Sequence, residues 1–253
     1  MSVYDYAKEY LLSFPAITPD ILDRHLTLWN VSKKNSLEEI YKSFLNHAKN
    51  RNALPNTIGN IDNLAGILFG FNPVEVSRTY FNGEGILRAI IDAGIQTPAP
   101  IDIANQRSHW VIYAKSVISS AKFLERFNSA EEFHNFVESF YCNEYSRLAL
   151  PLLLKEEIFG FGFALACDFL KENGYNGFVK PDTHIKVICR AFGISESNTD
   201  FGVFKDVVLF CDQNNLIPYE FDKIIWLVGS GSFYLDNIQV GTSRTDFITR
   251  NHR

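Results

Sequence analysis

No stretch of this 253-residue chain approaches the eighteen or so uninterrupted apolar residues that a membrane-spanning helix needs, which excludes a helical membrane protein. The opening residues, MSVYDYAKEYLLSF, carry acids early and have no basic segment ahead of an apolar one, so a secretory leader is not expected. No Cys-x-x-Cys pair occurs: Cys142, Cys167, Cys189 and Cys211 are separated by 25, 22 and 22 residues. That spacing is wrong for a zinc ribbon or a four-cysteine iron–sulfur loop, so four reduced core thiols and no metal are expected. Excess positive charge is missing as well. Lys and Arg number 24 against 29 Asp and Glu, a net −5, which speaks against coating nucleic acid by bulk attraction but leaves a local phosphate site open. Internal repeats and low-complexity tracts are absent, and alternating strand patterns are scarce, with GFVKP and FYLDNIQVG the only short extended candidates.

What remains is enough apolar material for a sizeable core: 46% hydrophobic residues, 22 of the residues being Phe. Ser36 with Glu39, and Ser129 with Glu132, have capping-box spacing ahead of periodic apolar faces. LPNTIGN reads as a loop. Pro73 opens one short helix and Gly94 closes the next. RSHWVIYAKSVISSAKFLERF places Trp110, Ala114, Val117, Ile118, Ala121 and Leu124 on one face of a long amphipathic helix. The pattern predicts a mainly α protein of about a dozen helices. TPAPID is the expected boundary, with residues 1–97 a helical region of unassigned role and 98–253 a second region. The bases Lys171, Lys180, Lys186 and Arg190, and the tail bases Arg244, Arg250 and Arg253, read as solvated faces. His25, His47, His134 and His252 make no ligand pattern.

The informative stretch runs from Ile158 to Ile194. YSRLALPLLLKEEI and FALACDFLKEN read as two helices joined by Gly160-Phe161-Gly162, a turn too tight for side chains at its glycines. Backbone N–H groups at such a turn and at the following helix start are suited to a phosphate oxygen. The second helix ends at Gly174. Asp182 follows Gly162 by twenty residues and is placed to cap THIKVICRAF.

The pairing of FGFGFALACDFL with VKPDTHIKVICRAFGI resembles the DNA glycosylases of the helix–hairpin–helix superfamily, whose type member is endonuclease III. The likeness is specific over about forty residues, Leu154 to Gly193, and continues weakly into FDKIIWLVGSGSFY; the first hundred residues show none. It implies two helical subdomains around a DNA-binding cleft, a hairpin unit at 144–173 and a catalytic loop and helix at 175–193. It further implies that Asp182 is the catalytic carboxylate. Gly160, Phe161, Gly162, Phe163 and Ala164, with Thr183 and His184, would then hold the DNA, His184 being read first as a structural histidine. The bifunctional members carry a lysine where this chain has Ala164, and some members add an iron–sulfur cluster that needs cysteines beyond Cys211. The implied activity is therefore monofunctional hydrolysis of an N-glycosidic bond without cofactor or metal. The implied setting is a monomer in the cytoplasm or nucleoid, acting on double-stranded DNA with a damaged or modified base. Gln106, His109 and Trp110 are candidates for the base pocket or a wedge, Trp110 being read first as core. Gly229-Ser230-Gly231-Ser232 is read first as a surface turn and second as another phosphate nest. Two other readings stay open: a DNA-binding protein without chemistry, and a helical interaction protein in which Asp182 is only a cap.

Overall fold

The computed structural model describes residues 2–51 and 55–251; Leu54 of the expected loop, His252 and Arg253 lie outside the described residues. In chain order the helices are α1 (Val3–Leu12), α2 (Pro19–Leu26), α3 (Leu37–Lys49), α4 (Pro55–Ile58), α5 (Pro73–Thr79), α6 (Gly83–Asp92) and α7 (His109–Leu124). They continue with α8 (Ala130–Ser139), α9 (Glu144–Glu157), α10 (Phe163–Glu172), α11 (Thr183–Ala191), α12 (Asp200–Gln213), α13 (Pro218–Ser230) and α14 (Arg244–Asn251). Strands β1 (Ser232–Phe233) and β2 (Ile238–Gln239) pair antiparallel, Ser232 opposite Gln239. The protein is mainly α. The second extended candidate became this small hairpin, while GFVKP stays irregular. Among the described residues no helix is long and apolar enough to cross a membrane.

The boundaries follow local chemistry. Ser36 Oγ accepts from Glu39 N at 3.2 Å while Glu39 Oε2 accepts from Asn35 N at 2.7 Å, and Ser129 with Glu132 repeats the arrangement. Gly174 sits at φ +86°, with Tyr175 N donating back to Leu170 O, so α10 closes in a left-handed turn.

The chain divides into two compact units, residues 34–169 and residues 1–33 with 170–253. The division falls within α10, and TPAPID, at 97–102, lies inside the 34–169 unit. The reason is physical: α7, which follows TPAPID, packs onto α3, α4, α5 and α6, which precede it. Trp110 Nε1 donates to Ala99 O at 3.1 Å, tying the segment down.

The 34–169 unit is cored by α7, whose six predicted apolar positions are all buried. Its other core is aromatic. Phe44 stacks on Phe169 with centroids 3.7 Å apart, and Phe133 and Phe161 close around the pair at 6.4 and 5.7 Å. Each buried Phe contributes about 1.5–3 kcal/mol.

In the other unit α13 is the buried element, with Tyr219, Phe221, Ile224, Ile225, Leu227 and Val228 out of solvent. It packs against α1, α2, α11, α12 and α14. Tyr6 stacks on Phe247 at 4.8 Å, and Tyr4 Oη donates to Glu220 Oε2, joining the two ends of the chain.

Candidate functional site

The Gly-Phe-Gly turn belongs to the 34–169 unit. Helix α9 ends at Ile158, Phe161 N donates to Ile158 O at 3.1 Å, and Gly162 O accepts from Leu165 N and Ala166 N to start α10. Ser116 Oγ of α7 donates to Phe159 O at 2.6 Å, and Phe159 N donates to Ser119 Oγ at 2.9 Å, so α7 clamps the turn. Phe161 and Phe163 are buried and offer a ligand only their backbone.

The two glycines differ. Gly160 has φ +81°, and a Cβ there would meet Ser116 Oγ at 3.0 Å and Ile112 Cγ2 at 3.1 Å, so the fold itself requires glycine. Gly162 lies outside the left-handed region, and a Cβ there would meet nothing within 4 Å. The expectation that the turn excludes a side chain at both glycines is corrected at Gly162, where the chain leaves open space. Gly162 N and Ala164 N make no hydrogen bond among the described residues, and Gly162 is exposed.

Asp182 belongs to the other unit. It caps α11 as expected, Oδ1 accepting from His184 N at 2.8 Å and Ile185 N at 3.1 Å. Its second oxygen, Oδ2, accepts no hydrogen bond from any described residue. Thr183 is exposed, and its carbonyl accepts from Arg244 Nη1 at 3.4 Å. His184 packs against α13. A Cβ at Gly229 would fall 1.9 Å from His184 Nδ1, so Gly229 makes room for the imidazole, whose buried Nδ1 has no partner among the described residues. Burial holds the His184 pKa below the ordinary histidine value, with Arg244 acting the same way and the Asp182 carboxylate opposing both.

Beneath the segment that delivers Asp182 lies a buried ionic cluster. Lys171 Nζ is 2.8 Å from Asp222 Oδ1 and 2.9 Å from Glu172 Oε1, and Lys223 Nζ is 3.1 Å from the same Glu172 oxygen. Asp222 Oδ2 accepts from Lys180 N at 2.6 Å, which fixes the backbone two residues before Asp182. Lys171, Asp222 and Lys223 are 4%, 2% and 3% exposed, so Lys171, expected on a solvated face, is a core residue. Burial pushes the Asp222 carboxyl upward, Lys171 pulls it back, and the Asp182 charge adds to the rise. Burial would push Glu172 up too, but the Lys171 and Lys223 ammoniums outweigh it and hold that carboxyl well below the usual range. Sequence reasoning missed this cluster. Its only trace is an Asp-Lys pair amid the apolar run of α13, 51 residues from its Lys-Glu partners.

The three pocket candidates line three different cavities of the 34–169 unit. Exposed Gln106 accepts from Lys115 Nζ at 3.0 Å and edges a cavity of about 180 Å³ with Asn82, Glu84 and Leu87. His109 faces a narrow crevice with Lys49, Arg51 and Tyr113. Trp110 is 2% exposed and walls a cavity of about 280 Å³ with Asn60, Leu64 and Pro98, so its burial removes it as a wedge. The Gly229–Ser232 stretch is no phosphate nest: Gly231 N donates to Leu227 O and Ser232 N to Ser230 Oγ, using the groups a phosphate would need. Cys142 is exposed, against the expectation of four core thiols, while Cys167, Cys189 and Cys211 are buried. Comparison of the chain with protein-family models, with curated proteins and with solved structures found no match.

Proposed function

We propose that this protein is a monofunctional DNA glycosylase, hydrolysing the bond between deoxyribose and a damaged or modified base flipped out of double-stranded DNA. The observation that carries the reading is the divided role of Asp182. One oxygen is spent on the helix cap, and the other accepts no hydrogen bond among the described residues, on a backbone held from below by Asp222. Capping uses only one of the two carboxylate oxygens, which leaves the other for chemistry. A carboxylate near the anomeric carbon stabilises the positive charge that grows as the base departs, and accepts a proton from the attacking water. The extruded base is what exposes that carbon. Open space at Gly162 and the N–H groups of Gly162 and Ala164, unpartnered among the described residues, fit a phosphate grip at the turn between α9 and α10, read as a helix–hairpin–helix.

A panel of lesion-bearing duplexes, scored for alkali-labile abasic sites, tests the reading. Release of at least one base by the wild-type protein is expected, and release of none overturns the proposal. Ala164 cannot form an imine with the sugar, so the product is an intact abasic site. Borohydride present during turnover is therefore expected to trap no protein–DNA adduct. A trapped adduct would show another amine acting as nucleophile.

A further inference from the structure

A second feature of the 34–169 unit lies along α7. Between His109 and Leu124 this helix has no Asp or Glu, and its two lysines, Lys115 and Lys122, are seven residues apart on one face, about 10.5 Å along the axis. Lys115 Nζ lies 5.3 Å from the ring centre of Phe159, and Lys122 Nζ lies 5.8 Å from that of Phe81. Both distances are within cation–π range. Phe81 is 88% exposed and Phe159 48%. One exposed ring on a surface needs no explanation. Two exposed rings, each met by a lysine from the same acid-free helix face, form a repeated aromatic–cation pattern.

We infer that this face seats a nucleic-acid strand whose bases are unstacked, the Phe81 and Phe159 rings stacking on bases while Lys115 and Lys122 face phosphates. Charge complementarity favours that occupant. Lys115 and Lys122 form no ion pair among the described residues, whereas the nearby carboxylates are engaged: Glu84 with Arg88, Glu157 with Arg126, and Glu125 with the Ser77 hydroxyl. An apolar peptide would bury the two ammoniums without compensation. Stacking explains the rings, because every base has a π-face and a ring needs no particular sequence to use it. The cavity edged by Gln106 and Lys115 begins at Asn82, the residue after Phe81, and supplies amide and ammonium groups beside the ring. The face also includes Phe159, at the turn between α9 and α10, so the inference deepens the proposed function by naming how the opened strand is held.

Fluorescence anisotropy with a labelled single strand, a gapped duplex and an intact duplex of equal length, between 50 and 200 mM salt, is the test. The single strand and the gapped duplex are expected to bind about tenfold tighter than the intact duplex. Phe81→Ala and Phe159→Ala should weaken the gapped complex by about five- to a hundredfold without changing the salt slope. Lys115→Gln and Lys122→Gln should each lower that slope by about 0.7–0.9. Both phenylalanine variants binding the gapped duplex like wild type would overturn the inference. So would a concentration-dependent dimer, seen in sedimentation, that Phe81→Ala abolishes. Base release measured on the same preparations separates the two proposals. Strand binding without base release sinks only the glycosylase reading. Asp182-dependent base release that ignores all four substitutions sinks only this one.

Discussion

The two compact units both bury apolar interiors, but differ in what those interiors enclose. Residues 34–169 close around stacked phenylalanines, Phe44 on Phe169 with Phe133 and Phe161 beside them. The unit formed by residues 1–33 and 170–253 buries a four-membered ionic cluster of Lys171, Glu172, Asp222 and Lys223. The phenylalanine core carries no titratable group and is indifferent to pH. A buried ion cluster is a weak source of net stability but is costly to break, and it fixes specific backbone atoms. Here it fixes Lys180 N, two residues before Asp182.

The largest effect should come from breaking each core in its own way. Lys171→Met leaves Asp222 buried without its main cation and should cost about 3–5 kcal/mol; Phe44→Ala should cost about 3–5 kcal/mol through its cavity. The pH dependence separates them. Without Lys171 the Asp222 pKa, already raised by burial, climbs further. The folded state then binds a proton that the unfolded state releases above the ordinary carboxylate value of about 4, so stability falls as pH rises through that window. Denaturant unfolding should show the Lys171→Met penalty growing from pH 5 to pH 8 and the Phe44→Ala penalty constant. Equal pH profiles would remove the distinction between the cores.

Next in size is Asp182→Asn. The amide keeps a capping oxygen, so stability should change by less than about 1 kcal/mol. Base excision should fall about a hundredfold or more, because the neutral side chain neither stabilises positive charge nor takes a proton. Near-normal excision by the folded variant would reduce Asp182 to a cap.

Smaller again is the contrast between the two glycines. Gly160→Ala should cost about 1–2 kcal/mol for a left-handed non-glycine residue, with a further cost at Ser116 and Ile112. Gly162→Ala should leave stability within about 0.5 kcal/mol, since the added methyl meets nothing. It should nonetheless weaken binding to every duplex by a similar factor, because phosphate contacts carry no sequence information. Equal thermal stability of the two variants would show that Gly160 is not held as described.

The last test reads the pH slope alone, at Glu172, whose loss also leaves Lys223 buried without its carboxylate. Its pKa is depressed, so its contribution is present above the ordinary glutamate value of about 4.3 and is lost as pH falls toward the folded value. Glu172→Gln should therefore flatten the acid side of the stability profile and leave the slope above pH 5 unchanged. An unchanged acid limb would mean that the two lysines do not hold Glu172 ionised.

What was legible in advance was what the chain encodes within a few residues. Ser36, Ser129 and Asp182 all cap the helices they precede, because a cap is a contact between neighbours two or three positions apart. The buried stripe of α7 followed from its periodicity, and Gly174 closed α10 as a left-handed residue must. The unequal glycines of the turn were not legible. Whether a Cβ has room at Gly160 depends on Ser116 and Ile112, more than forty residues earlier, and sequence spacing carries no such distances.

By itself, then, the sequence determined the helices, their caps and the order in which the turn and Asp182 appear, all through short-range hydrogen bonds and apolar periodicity. Only the tertiary structure decided that Lys171 is buried and not solvated, because its partner Asp222 is 51 residues away and a charge enters a core only where an opposite charge is waiting. It alone decided that residues 97–102 lie inside a unit, since the helix after them returns to pack on the helices before them. It also decided which glycine is kept for the fold and which has open space around it.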